Sequence, residues 1–304
     1  MDNCLNVVMM VSIEVKKVSG KDYYYLRYSY REGGKVKLIE KGIGTDIPAN
    51  LENLKLDFIK EITQKRWIDS IENITNKNRE RFNSLPSPIQ MKDLRTFGIK
   101  FTYHSNKIEG SSLTHKEVAL IIEEPKVPIN KSPYDVIEAK LHMEIYEMVI
   151  ESNSHKELTM DMINGWHKTL FSLHPIANKF AGLIREEQVY ISGSDHVPPL
   201  DPKPLLIELF NWYNENKDSM HPVLLACLMH FRFVKIHPYL DGNGRMCRLV
   251  QNFILFKNNY PMYALPYRIR RSYYKAIEKS VLNQDEMFFV GWFFRNYLKN
   301  IQNI

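Results

Sequence analysis

The residues best equipped for chemistry crowd into one stretch, His237-Pro-Tyr-Leu-Asp-Gly-Asn-Gly-Arg-Met-Cys-Arg248. His237 is a side chain that can take a proton near neutral pH. Asp241 supplies the oxygen ligands that hard divalent cations take. Gly242 and Gly244 let the backbone come close to a ligand. Arg245 and Arg248 are three apart, so on a helix they share a face and can reach one anion. A base, a metal-type carboxylate and an anion cradle together point to phosphate chemistry.

Two apolar runs must hold this stretch in place. Val223 to Ile236 is apolar on nearly every side, the pattern of a helix buried at the centre of its domain. Leu249 to Phe256 is a second apolar helical run. Pro238 stops the first helix. The second begins with free N–H groups and the positive end of its dipole turned to the loop, which favours anions.

The remainder of the chain sets bounds. Its 304 residues are 44% hydrophobic, enough for a real core and unlike a disordered polymer. Lys and Arg number 41 against 35 acids, a net charge of +6 that does not by itself indicate nucleic-acid binding. Cys4, Cys227 and Cys247 form no CxxC pair, so neither a disulfide framework nor a zinc knuckle is indicated. A reducing, cytoplasmic setting is expected. The apolar run Val7–Val11 is too short for a signal-peptide core, and no stretch is long enough to span a membrane.

Residues 11–44 differ in character from the rest of the chain. Ser12–Lys17, Tyr23–Tyr30 and Lys35–Lys41 read as strands separated by turns at Ser19–Asp22 and Glu32–Gly34. This predicts a small antiparallel appendage whose tyrosines pack on a helical body. Basic residues between tyrosines could instead grip a nucleic-acid backbone, the less favoured reading. Helices are then predicted from Leu51 to Phe82 (one or two), Met91 to Glu109 closed by Gly110, and onward from a capping box at Thr114–Glu117. Others are expected over Ser132–Glu151, Thr159–Phe171, Lys203–Asn216 and His221–Lys235, with two or three after the loop. Gly182–Ile191 alternates, Ser192–Asp195 turns, and His196–Pro199 runs extended, so a lone hairpin is expected there. The expected divisions are an appendage at 1–48, a helical region at 49–150 and a catalytic core at 151–304.

Seven positions of the opening stretch resemble the signature of the Fic family, His-Pro-Phe-x-Asp/Glu-Gly-Asn-Gly-Arg-x-x-Arg, with Tyr239 where that family usually has Phe. Roughly residues 90–300 look similar to that family. The fold this implies is mainly α, a Fic-type helical bundle with a β-hairpin flap. Ser105-Asn-Lys-Ile-Glu-Gly110 resembles the family's inhibitory pattern, Ser/Thr-x-x-x-Glu-Gly/Asn, in the self-inhibited class. The resemblance implies transfer of AMP from ATP to a Tyr, Thr or Ser hydroxyl of a target protein. His237 would be the general base and Asp241 would hold Mg²⁺. Gly242, Asn243 and Gly244 would cradle the phosphates. Arg245 would hold the β-phosphate, and Arg248 the γ-phosphate once Glu109 releases it. The flap, with Glu186, Gln188, Tyr190 and Val197, would pin the target by strand addition. Alternatives are a hydrolase that removes AMP, using the same site, and a DNA-binding regulator acting through residues 11–44. A second copy of the chain is a further candidate partner.

Other tempting residues read as structural. Cys247 lies between the two arginines but on another helix face, and belongs to the core. His221 and His230 do not share a face as metal ligands would. Tyr273 and Tyr274 read as packing.

Overall fold

The computed structural model describes residues 11–124, 126–152 and 156–303. Cys4 and the apolar residues 7–10 lie outside them. The chain opens with strands β1 (Val11–Val18), β2 (Lys21–Glu32) and β3 (Lys35–Gly44), paired antiparallel in that order. Ile13 faces Leu26, and Tyr28 faces Ile39. Side chains alternate across a strand, so Leu26, Tyr28 and Ile39 fall on one face and are buried in the main core. Arg66 fastens that face: its guanidinium lies 4.1 Å from the Tyr30 ring centroid and donates to the Tyr28 hydroxyl at 2.5 Å. The inward tyrosines therefore pack on the helical body. On the outer face Lys16 pairs with Glu40 at 2.8 Å, and Arg27 pairs with Glu14.

The predicted run after the sheet is α1 (Leu51–Thr63) and α2 (Asp69–Ser84), joined through a π-helical turn at Gln64–Ile68. Next comes α3 (Ser87–Ile108). It starts ahead of the expected Met91, because Pro88 stands in the first turn, where its missing N–H has no partner to lose. The capping box at Thr114 and Glu117 opens α4 (His115–Glu123). Beyond it come α5 (Pro133–Ser152), α6 (Met160–Phe171), α7 (Lys203–Asn216), α8 (Pro222–Ile236), α9 (Asn243–Lys257), α10 (Arg270–Leu282) and α11 (Met287–Ile301).

Helix α8 is the axis. From Val223 to Ile236 every residue but Arg232 and Lys235 is buried. Helix α9 packs along it, with α7, α10 and α11 against other sides. Helices α3 and α5 pack on each other and both reach α9. They run antiparallel: the Tyr146 hydroxyl donates to the Leu94 carbonyl at 2.8 Å, and Thr102 meets His142 at 3.0 Å. Their axes come close at Gly98, where a Cβ would sit 2.5 Å from the Tyr146 ring. No described helix is long and apolar enough to cross a membrane.

One expectation fails. Residues 182–200 contain no strand, so the predicted hairpin is an extended loop pair without a ladder. Pro198 and Pro199 cannot donate to a ladder. The carbonyls of Glu187, Pro199 and Leu200 are instead taken by the Arg185 side chain.

Gly98→Ala should destabilise the fold by about 1–3 kcal/mol through overpacking of the α3–α5 crossing. Chemical denaturation measures this. An unchanged midpoint would show that Tyr146 moves aside freely.

Candidate active site

The loop between α8 and α9 starts at His237, which caps α8 in the left-handed region (φ 54°, ψ 59°). That conformation is costly for a residue with a Cβ. Three contacts hold it: the His237 N–H donates to the Phe233 carbonyl at 3.0 Å, Nδ1 lies 3.3 Å from the Val234 carbonyl, and Arg185 Nε donates to the His237 carbonyl at 2.8 Å. The Val234 contact assigns the proton to Nδ1 and leaves Nε2 as the acceptor. Burial pushes the imidazole pKa down to about 4; Val234 and Glu109 pull it up, while Arg185 and His196 push it further down. His237 is thus neutral and able to accept a proton at physiological pH.

The loop is braced from within. Asn243 Oδ1 accepts from the Tyr239 N–H at 2.9 Å, and Asn243 Nδ2 donates to the Tyr239 carbonyl at 2.7 Å. The Asn243 side chain is therefore committed to the loop's own backbone, and an anion would meet its backbone N–H. The Tyr239 ring stacks on His167 at 3.8 Å, and its hydroxyl donates to Asn164 at 2.7 Å, a bond that Phe could not make. His167 accepts the Gly182 N–H on Nδ1 at 2.8 Å, so Nε2 carries the proton toward the Asp241 carbonyl at 3.0 Å. One imidazole thereby links the root of the 182–200 segment to the loop.

The two glycines serve different ends. Gly242 has a φ of 76°, and a Cβ there would strike Phe171 at 2.7 Å. A Cβ on Gly244 would lie 2.3 Å from Glu109 Oε1 and 3.1 Å from Arg248 Nη1. The space beside Gly244 is filled by a carboxylate of the chain itself.

Both arginines are paired. Arg248, 1% exposed, donates from Nε to the Ser105 hydroxyl at 3.1 Å. Its Nη2 donates to the Ser105 carbonyl at 3.1 Å and to Glu109 Oε1 at 2.6 Å. Burial alone would weaken the charge on Arg248, but Glu109, with Tyr273 and Cys247 beside it, more than offsets this and the guanidinium is held more firmly protonated. Glu109 sits at the C-cap of α3, followed by Gly110 at φ 107°. Arg245 donates to Glu138 on α5 at 2.8 Å and lies 3.6 Å from Asp241. The Asp241 carboxylate also accepts the Gly242 N–H at 2.5 Å, and its side chain is 69% exposed. Among the described residues no three His, Cys, Asp or Glu side chains gather as a metal cage. One exposed carboxylate still suits Mg²⁺, which keeps waters and takes its other ligands from substrate phosphates.

The expected flap residues divide. Gln188 donates across to the Pro198 carbonyl at 2.9 Å, and Glu186 pairs with Lys203 at 2.9 Å. Tyr190 and Val197 are exposed. Cys247 is buried against the Gly244 carbonyl and the His230–Tyr273 pair. Burial pushes its thiol up to about 12, which suits a packing role.

Sequence reading missed Arg185, His167 and Glu138. Arg185 lay in a segment read as a strand. Glu138 is one of several acids along α5, and nothing local set it apart.

Similarities to known proteins converge on this region. Residues 157–255 match the family model described as Fic/DOC family, a span that holds the loop but not Glu109. A protein adenylyltransferase Fic from Nematostella vectensis is 30% identical over 237 residues, 74% of this chain and 52% of that protein. One from Drosophila ananassae is 34% identical over 182 residues, 58% of this chain and 35% of that protein. The chain spans about half the length of the first relative and less of the second. Among solved structures, Fic-1 from C. elegans is 26% identical with a TM-score of 0.67, covering 84% of this chain and 77% of that one. A Fic domain containing signaling protein from Bacteroides thetaiotaomicron shares the fold, with a TM-score of 0.69 at 24% identity, over 77% of this chain and 94% of that one.

Two outcomes are expected of the site itself. First, a histidine NMR titration should leave His237 neutral down to about pH 4. The sign comes from the lowered pKa: acid must reach the folded value before the base is lost. A midpoint near 6.5 would contradict the burial of this ring. Second, Glu109→Gly should lower stability without ligand by about 3 kcal/mol, because it leaves a buried guanidinium uncompensated. Chemical denaturation reports it, and an unchanged midpoint would mean that water serves Arg248 as well.

Proposed function

We propose that this chain, which carries a Fic domain, transfers AMP from ATP to a hydroxyl side chain of a target protein, with Glu109 as a built-in brake. The observation that carries the proposal is a neutral His237 beside a helix N-terminus whose arginine Arg248 is already held by a carboxylate. The target oxygen would attack the α-phosphorus as the bond to the bridging oxygen breaks and pyrophosphate leaves. His237 Nε2 takes the hydroxyl proton. A weakly basic imidazole suits a loose phosphoryl-type transition state, in which the hydroxyl acidifies only as its bond to phosphorus forms.

Arg245 Nε and Arg248 Nη1 are buried and have no protein partner among the described residues, so both retain capacity for phosphate oxygens. The α9 N-terminal amides add to the cradle. Asp241 would hold Mg²⁺, which would neutralise phosphate charge as the bond breaks. While Glu109 holds Arg248, the γ-phosphate loses its anchor. The nucleotide then sits with its α-phosphate out of line, and the proximity advantage is lost.

The same carboxylate also acts on His237, raising its basicity. This favours a second reading, in which Glu109 and His237 position a water that removes AMP from a modified protein.

Purified protein with α-labelled ATP and Mg²⁺ should mark itself or an added target weakly. Glu109→Gly should raise labelling about tenfold or more, equivalent to about 1.4 kcal/mol of barrier, and His237→Ala should abolish it. Flat labelling on Glu109→Gly removes the brake. If Glu109→Gly instead abolishes release of AMP from a modified protein, the hydrolytic reading replaces transfer.

A further inference from the structure

We infer that Arg185 is a positioning residue that holds His237 and the 186–200 segment in a single register. The inference rests on the transfer reading above, in which that segment carries the target. Arg185 is charged yet 3% exposed. It makes no ion pair among the described residues; its side chain serves main-chain carbonyls instead. Nε donates to the His237 carbonyl at 2.8 Å, and Nη2 to the Ile236 carbonyl at 3.4 Å. Nη2 also donates to the Pro199 carbonyl at 2.5 Å, while Nη1 donates to those of Glu187 at 2.8 Å and Leu200 at 3.2 Å. Its own N–H donates to the Pro238 carbonyl at 3.0 Å.

These acceptors form two groups. Residues 236–238 are the end of α8 and the strained backbone of the base. Residues 187, 199 and 200 are the two roots of the loop pair. A planar fork of five donors can join both groups; an ammonium has three donors at one point and cannot span them. Without ladder hydrogen bonds in 182–200, this guanidinium supplies much of the cross-link between its arms. None of the side chain's hydrogen bonds goes to residues 241–248. Changing it should therefore spare nucleotide binding and disturb the alignment of base and acceptor, where small misplacements slow reaction about a hundredfold.

The test uses the 304-residue chain carrying Glu109→Gly as parent. Arg185→Gln should keep ATP affinity, read by calorimetry with Mg·ATP, within about twofold, while self-labelling falls about a hundredfold. Arg185→Lys should recover part of the rate. Equal labelling in Arg185→Gln and parent would overturn the inference. So would parallel loss of ATP binding and thermal midpoint, which would make Arg185 a general brace. An independent readout is the His237 titration. The groups acting on that ring are Val234, Arg185, Glu109 and His196. Losing the Arg185 charge in Arg185→Gln should raise the His237 pKa, and Arg185→Lys should not. If the parent binds ATP but labels nothing, the transfer reading fails, and the titration still decides whether Arg185 sets the state of His237.

Discussion

The ion pair between Arg248 and Glu109 governs the rest of the site. A guanidinium cannot shed its proton, so taking Arg248 out of water calls for compensating acceptors, the strongest of which is an anion. Glu109 provides it from the far end of α3, and Ser105 one turn earlier fills two more donors. Gly244 exists in that arrangement as empty space, since any Cβ would evict the carboxylate. Helix α3 must then lie at a fixed height against α9, which the close crossing with α5 at Gly98 secures. A pair joining residues 139 apart in sequence thus dictates how three helices meet.

Around that pair the loop is rigid for local reasons. Asn243 and Tyr239 exchange two hydrogen bonds, and Tyr239 stacks on His167. Arg185 fixes the carbonyl of His237. Each brace leaves a group turned toward the opening: the exposed Asp241 side chain, the Nε2 of His237 and the amides at the start of α9. A site assembled this way has little left to organise when substrate arrives.

Much of this was legible in the sequence, because its signals were local. The all-apolar stretch from Val223 marked the central helix. The capping box at Thr114 marked the start of α4, and the tyrosine alternation marked a sheet leaning on the body. The spacing of His237, Asp241, Arg245 and Arg248 placed them on one loop and one helix turn. What was illegible depends on distant partners. Arg185 reads as a strand residue until its carbonyl acceptors are seen. Period-two alternation in Gly182–Ile191 suggested a ladder, yet prolines and a guanidinium took over its hydrogen bonds. Glu138 reads as an ordinary helix acid until Arg245 comes to meet it. Asn243 looked like a ligand because its type suits one, while its side chain is spent on the turn.

That Glu109 is tethered in the same chain has a consequence of its own. On the proposed reading, carboxylate and γ-phosphate compete for Arg248, and one competitor never diffuses away. Its effective concentration is set by the fit of α3 rather than by how much protein is present. Dilution cannot relieve such a brake, and the other competitor is the nucleotide itself. The output then tracks the ATP level against a fixed internal standard. Anything that pulls on α3 resets that standard without touching the residues that do the chemistry.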